Sequence, residues 1–354
     1  MATALSEIIH SEIKAKGPLT MADFMALCLT HPVHGYYATR DPFGAEGDFT
    51  TAPEMTQVFG ELIGLWCAEV WQQLGSPKRF TLCELGPGRG TLMKDALRAG
   101  KLVPGFVEAA QVHLLESSGL LRKKQADALA GYNPVWLDNL ESLPAQPVIM
   151  LANEFFDALP IRQFQRIATG WKERRVALSP QGTLVIVLMD AIDSPTYDAP
   201  DGTIIEISPV AVEMGNALAR PIVKNTGAAL VIDYGDDEII GETLQAVHKH
   251  RAAHLLTTPG IADITAHVSF EPIRLAMRKI GTKTYGLETL ANFLNGLGIM
   301  PRTLQLLEKA DEAQKRSLQA AMLRLVDTAE PSSMGRLFKV MAITDRNGKT
   351  PPGF

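Results

Sequence analysis

Phe80-Thr81-Leu82-Cys83-Glu84-Leu85-Gly86-Pro87-Gly88-Arg89-Gly90-Thr91-Leu92 is the stretch whose reading decides the fold. It opens as a short apolar run with little alternation, the pattern of a strand buried on both faces. Three glycines at alternate positions follow, where the backbone can turn sharply and no Cβ stands in the way of a ligand. Thr91-Leu92 then starts a helix. An acidic residue, Glu84, sits where the strand ends, which is the wrong charge for a phosphate cradle. A phosphate loop closes on Gly-Lys-Ser/Thr, and a dinucleotide fingerprint runs G-x-G-x-x-G. Here the loop closes on Gly-Thr-Leu and the spacing is G-x-G-x-G. The alternative is an ordinary glycine-rich turn between a strand and a helix.

Working outward, the 354 residues suit one α/β core with sizeable insertions, or two domains. Hydrophobic content of 46% and charged content of 21% are ordinary for a globular chain with a large core. The net charge of −5 argues against nucleic acid as the main partner, because phosphate binding wants a basic surface. Cys28, Cys67 and Cys83 lie far apart in apolar surroundings and form no C-x-x-C, so they are expected as buried thiols rather than metal ligands. No apolar run is long enough to span a bilayer. The N-terminus lacks the marks of a signal or transit peptide, so a bacterial chain is expected in the cytoplasm.

Upstream, residues 3–16 suit a helix, and Thr20-x-x-Asp23 opens a second. His31 to Glu54 is rich in glycine, proline and aromatics; it is expected either to cover a cofactor or to clamp the N-terminal helices to the core. Residues 54–74 form a long amphipathic helix. Downstream, Val112-His-Leu-Leu-Glu116 reads as a second strand ending in an acid 26 residues beyond Gly90, the range in which dinucleotide folds bind ribose hydroxyls. Pro134–Leu137 is a third strand, followed by Asp138. Pro147–Ala152 is a fourth, running into Asn153-Glu154-Phe155-Phe156-Asp157. In open α/β sheets ligands bind beyond the carboxyl ends of the strands, where Asn153 and Glu154 would stand beside the Glu84 loop and Glu116. Residues 161–190 alternate as in an antiparallel insertion with a turn at 179–182. Ala228–Gly235 is a fifth buried strand, residues 236–285 break the βα rhythm, and 336–343 is expected as an antiparallel edge strand. The expected segments are a helical region with its loop over 1–78 and the first part of the core over 79–160. A β-rich insertion and helix (161–224), a core strand (225–235), a second insertion with helices (236–330) and a final strand and tail (331–354) complete them.

Five stretches together carry a resemblance. They are Gly35-Tyr-Tyr with Gly47-Asp48-Phe49; Glu84 to Leu92; Ala152-Asn-Glu-Phe-Phe-Asp-Ala-Leu-Pro160; Ile232-Asp-Tyr-Gly235; and Pro259-Gly-x-x-Asp-Ile-Thr-Ala-His-Val268. They span most of the chain, which resembles the MidA-like methyltransferases. Mitochondrial members of that family are complex I assembly arginine methyltransferases, so the resemblance implies the mitochondrial matrix if the chain is eukaryotic. The resemblance implies a class I, Rossmann-like α/β sheet that binds S-adenosyl-L-methionine (SAM), with N-terminal helices and two insertions. It implies methyl transfer to an arginine of a protein, in mitochondrial members a respiratory complex I subunit. One run departs: Gly241-Glu-Thr-Leu-Gln-Ala-Val-His248 lacks an arginine and an aromatic usual in the family. This puts the identity of the substrate, not the cofactor core, in question.

On this reading Glu84, Gly86, Gly88, Gly90, Glu116, Asp138, Asn153 and Asp48 are the candidate cofactor residues, and no metal is implied. Arginine is fully protonated and a poor nucleophile. Carboxylates must therefore hold the guanidinium and localise its charge, and a base must take the proton. Glu154 and Asp157 are the candidate clamp and His267 the candidate base. A SAM-binding assembly factor without turnover is the competing reading. An NAD-dependent oxidoreductase is disfavoured by the glycine spacing.

Overall fold

The computed structural model describes residues 3–40 and 51–354. The chain forms two compact units. One comprises residues 1–49, 157–212 and 237–269, and the other residues 50–156, 213–236 and 270–354.

The second unit is built on seven strands: β1 (Phe80–Leu85), β2 (Ala110–Leu115), β3 (Val135–Leu137), β4 (Val148–Asn153), β5 (Gly227–Asp236), β6 (Lys283–Thr289) and β7 (Phe338–Thr344). They lie in the order β6-β7-β5-β4-β1-β2-β3. Every residue of β1 and β4 is buried, which is why both read as apolar runs without alternation. Among the pairings from β5 to β3 all are parallel, and β7 runs antiparallel to both its neighbours. The antiparallel strand is therefore as expected, but it does not form the edge. Six of its seven residues are buried, so it wants a neighbour on each side. The outermost place goes to β6, Lys-Thr-Tyr-Gly-Leu-Glu-Thr, whose polar, half-exposed residues suit an edge. The segment of β6 lies within the expected second insertion, because it lacks the apolar run that marks a core strand. Segments 270–280 and 299–307 likewise proved to be helices of this unit.

The long helix expected over 54–74 is two, Ala52–Met55 and Gln57–Gln73, divided at Thr56, whose hydroxyl accepts from Val58 N and starts the second. Gly60 and Gly64 let that second helix meet the helix Thr91–Gly100 closely: a Cβ on Gly64 would lie 2.3 Å from Ala96 O. Around them Phe59, Trp66, Leu82, Leu97, Phe106 and Ile149 form one core.

The other unit joins the helices Ala4–Lys16 and Met21–Thr30 to both insertions. Thr20 caps the second helix as expected, its hydroxyl accepting from Asp23 N at 3.1 Å. The strands Arg162–Ile167, Gly170–Leu178 and Leu184–Met189 pair antiparallel, and Ile204–Ile207 joins them. The turn falls at Ser179–Gly182, closed by Gly182 N to Ser179 O at 2.9 Å, with φ +79° at the glycine. A separate three-stranded sheet holds Gln245–His248, Arg251–Ala253 and Asp263–Thr265. The two insertions therefore form one unit with the N-terminal helices. Their apolar residues, among them Ile161, Val176, Ala246 and Ile264, pack with Leu5, Ile9, Phe24 and Met25.

Candidate active site at the carboxyl ends of the parallel strands

Strand register gathers the candidate residues. Leu85 of β1 lies opposite Leu115 of β2 and Ala152 of β4; Leu115 lies opposite Leu137 of β3, and Asn153 opposite Ile232 of β5. Gly86, Glu116, Asp138, Asn153 and Asp233 are thus at one end of the sheet, each at or one step beyond the last paired position. The backbone reinforces this: Gly86 N donates to Leu115 O at 3.0 Å and Glu154 N to Ile232 O at 2.9 Å.

Gly86, Gly88 and Gly90 all take positive φ, at +59°, +53° and +81°, a region other L-residues seldom enter. A Cβ on Gly86 would lie 2.9 Å from the Phe155 ring, so the loop after β1 and the turn after β4 are in contact. Gly90 ends the loop by starting the helix Thr91–Gly100. Glu84 is buried in β1, and among the described residues its Oε2 has no hydrogen-bond partner. Burial pushes its carboxyl up to about 8, against a hydrogen bond to the Met93 backbone that lowers it.

A carboxyl raised in the folded state favours folding only while it is protonated. Stability is therefore lost as pH rises from the ordinary carboxyl value through about 8. Without cofactor, Glu84→Gln is expected to melt at the parental temperature near pH 5 and progressively above it toward pH 8.5. Thermal melts across that range check this, and a pH-independent difference would refute it.

Glu116, buried at the end of β2, accepts Ser118 N at 2.7 Å on Oε1 and Gln125 Nε2 at 3.1 Å on Oε2. Asp138 is different: its side chain is 86% exposed and pairs with Arg122 at 2.7 Å. Arg122 also donates through Nε to Glu116 O at 2.8 Å, so Asp138 joins the cluster at its rim.

The turn after β4 is the most constrained backbone here. Glu154 takes φ +50°, a left-handed conformation that costs a non-glycine residue about 1–3 kcal/mol when sparsely populated regions are enforced. Asp233, wholly buried, holds the turn by accepting Phe155 N at 3.1 Å and Phe156 N at 2.8 Å. The Glu154 Oε1 accepts Asn153 Nδ2 at 3.1 Å and Ala52 N at 3.4 Å. Asn153 Oδ1 is buried and, among the described residues, unpartnered. Glu54 meets the glycine loop from above the same end, accepting the Thr91 hydroxyl and lying 3.9 Å from Arg89.

Asp157 and His267 belong to the other unit. The Asp157 carbonyl accepts Ala266 N at 3.0 Å, so the two candidates lie near one another along paired backbone. The His267 backbone N–H donates to the Thr243 hydroxyl at 2.9 Å, and Thr243 is held in turn by buried Glu206. Tyr37 donates to buried Asp263 at 3.2 Å, and burial first, then the Asp263 and Asp157 charges, push its phenol well up. Asp48 and the aromatic loop around it lie outside the described residues.

Residues 62–288 match the family of S-adenosyl-L-methionine-dependent methyltransferases. The chain belongs to that family. The methyltransferase is 34% identical to the zebrafish (Danio rerio) mitochondrial protein arginine methyltransferase NDUFAF7, over 95% of this chain and 85% of the relative. It is 34% identical to the human (Homo sapiens) protein of the same name, over 94% and 81%. Among solved structures, a COG1565 superfamily member from Burkholderia thailandensis bound to S-adenosyl-homocysteine (SAH) is 28% identical. It superposes with a TM-score of 0.85 over 99% of this chain and 94% of that one. The fold is the mixed α/β sheet of SAM methyltransferases, and SAM is the cofactor.

The expected cytoplasmic placement gains no support from these relatives, which are named mitochondrial. Among the described residues of the methyltransferase no helix is long and apolar enough to cross a membrane. Its three cysteines are free and buried.

The strand ends suit a ligand of SAM's chemistry. A buried carboxyl oxygen and a buried amide oxygen, both unpartnered among the described residues, call for partners, and a cationic amino-acid end brings donors to them. Sequence reading missed Gln125, Phe155 and the holding role of Asp233. Asp233 ends an apolar strand as Glu84 and Asn153 do, a signal that could have marked it. A polar residue inside a helix, such as Gln125, carries none.

Proposed function

We propose that this methyltransferase transfers the methyl group of SAM to an arginine side chain of a protein, and that Glu154 receives the guanidinium. The observation that carries the reading is the left-handed Glu154, stationed at the strand end with its Oε1 held by Asn153 and Ala52. Backbone strain held in place by buried partners is a mark of functional positions. The names of the relatives, protein arginine methyltransferases, support the substrate class.

Gly86, Gly88 and Gly90 form the cradle in which the cofactor's amino-acid end approaches the backbone. Glu84 answers its positive charge, Asn153 Oδ1 takes a hydrogen bond from it, and Glu116 takes the ribose hydroxyls, with Asp138 at the rim through Arg122. Bound SAM supplies an activated methyl group on a sulfonium. The protein's task is then chiefly to align the nitrogen with that methyl. Glu154 does so by accepting a forked pair of guanidinium N–H bonds, which also draws positive charge away from the attacking nitrogen. The clamp proposed here uses Glu154 alone on its unit. Asp157 as a second carboxylate and His267 as the base are proposed from family resemblance.

A subunit of respiratory complex I is the protein substrate that the resemblance suggests, and the relatives' compartment agrees with a mitochondrial setting in eukaryotes. The test is incubation of the purified protein with labelled SAM and a lysate of cells lacking it. Label is expected on arginine of a discrete band. Label on another residue type would overturn the substrate class, and no label with intact SAM binding would favour an assembly factor without turnover.

A further inference from the structure

We infer that Gln125 is a positioning residue that ties the glycine loop to the acid at the end of β2 and so shapes the cofactor site. The inference rests on the assignment of Glu116 to the ribose.

Gln125 lies on the helix Gly119–Ala128 and is wholly buried. Its amide makes three hydrogen bonds: Nε2 donates to Gly88 O at 2.7 Å and to Glu116 Oε2 at 3.1 Å, and Oε1 accepts Trp136 Nε1 at 2.8 Å. The orientation of the amide follows from chemistry. An indole N–H only donates, so the amide oxygen must face Trp136, and the two amide hydrogens are left for the carbonyl and the carboxylate.

Each partner belongs to a different element of the site. Gly88 is the middle glycine of the loop, at φ +53°, and fixing its carbonyl fixes the following peptide plane. Glu116 has Oε1 held by Ser118 N, so the Gln125 contact on Oε2 sets the plane of the carboxylate. Trp136 is in β3, the next strand. The helix also borders the loop, since a Cβ on Gly90 would lie in ordinary van der Waals contact with Gln125 Cα, at 3.6 Å. A residue needed only to fill space there would be apolar. A leucine of similar volume would instead leave Gly88 O and Trp136 Nε1 without this partner and Glu116 free to turn.

The readout is calorimetric titration with SAH, together with thermal melts to establish that each variant is folded. Gln125→Leu is expected to bind SAH about tenfold to a hundredfold more weakly, the span of one hydrogen bond to a charged group. Gln125→Glu, nearly isosteric, keeps the acceptor for Trp136 but sets a carboxylate against Glu116. It is expected to bind more weakly still, and it reads the same question if the leucine variant does not fold. Because Gln125 acts in part through Glu116, the double variant with Glu116→Gln should lose less than the product of the single losses. A fully multiplicative loss, or a folded Gln125 variant with parental affinity, overturns the inference. Parental affinity in Glu116→Gln alone would instead overturn the ribose assignment, which separates the two failures.

Discussion

Glu154→Gln is expected to keep SAH affinity within about threefold of the parent while methyl transfer falls at least about a hundredfold, the pattern of an interaction made in the transition state. The two side chains are nearly the same size, so the left-handed backbone and the acceptors on Asp233 that hold it are undisturbed. What changes is the charge and one half of the fork. A glutamine offers one acceptor and one donor where the guanidinium needs two acceptors, so the arginine is held by a single bond and swings out of line. The measurement is affinity and transfer on one preparation, using labelled SAM and the lysate of deleted cells. Parallel losses in both would move Glu154 into the cofactor site. No loss in either would leave it a residue that only fastens Ala52 and Asn153 at the strand end.

The second large effect is Gly88→Val, expected to reduce SAH binding by more than about a hundredfold. Gly88 takes φ +53°, where a β-branched side chain is a strong outlier, and enforcing it costs about 1–3 kcal/mol before any ligand is considered. The carbonyl that Gln125 holds would shift with it, and the new methyl groups would occupy the cradle. Since the strain falls on one loop and not on the strands of the sheet, the variant should still melt cooperatively. A folded Gly88→Val protein with parental affinity would show that the ligand does not approach this loop.

That the candidate cofactor residues meet at one end of the sheet was legible because the signals are local. The glycine spacing after an apolar strand determines where the chain can turn left-handed, and an acid ending the next strand lies within a fixed rise of that turn. Thus Glu84, Gly86, Gly88, Gly90, Glu116 and Asn153 come to one end of the sheet as register requires. Asp138 shows the limit of that logic. It also follows a strand, but β3 has only three residues, and its side chain points to solvent and Arg122.

By itself, then, the sequence determined the type and order of the buried strands, the glycine loop and the acidic strand ends, since burial on two faces and positive φ each demand particular residues. Tertiary structure alone decided the rest. It placed β6 outside β7, because an edge is defined by what lacks a neighbour; the polar residues of β6 permit that place without marking the segment as a strand. It gathered the N-terminal helices and both insertions into one unit, because their apolar residues share a core across long separations along the chain. It gave Gln125 and Asp233 their work for the same reason: a buried amide or carboxylate takes its meaning from partners up to 78 residues away, and only folding brings these within hydrogen-bonding reach.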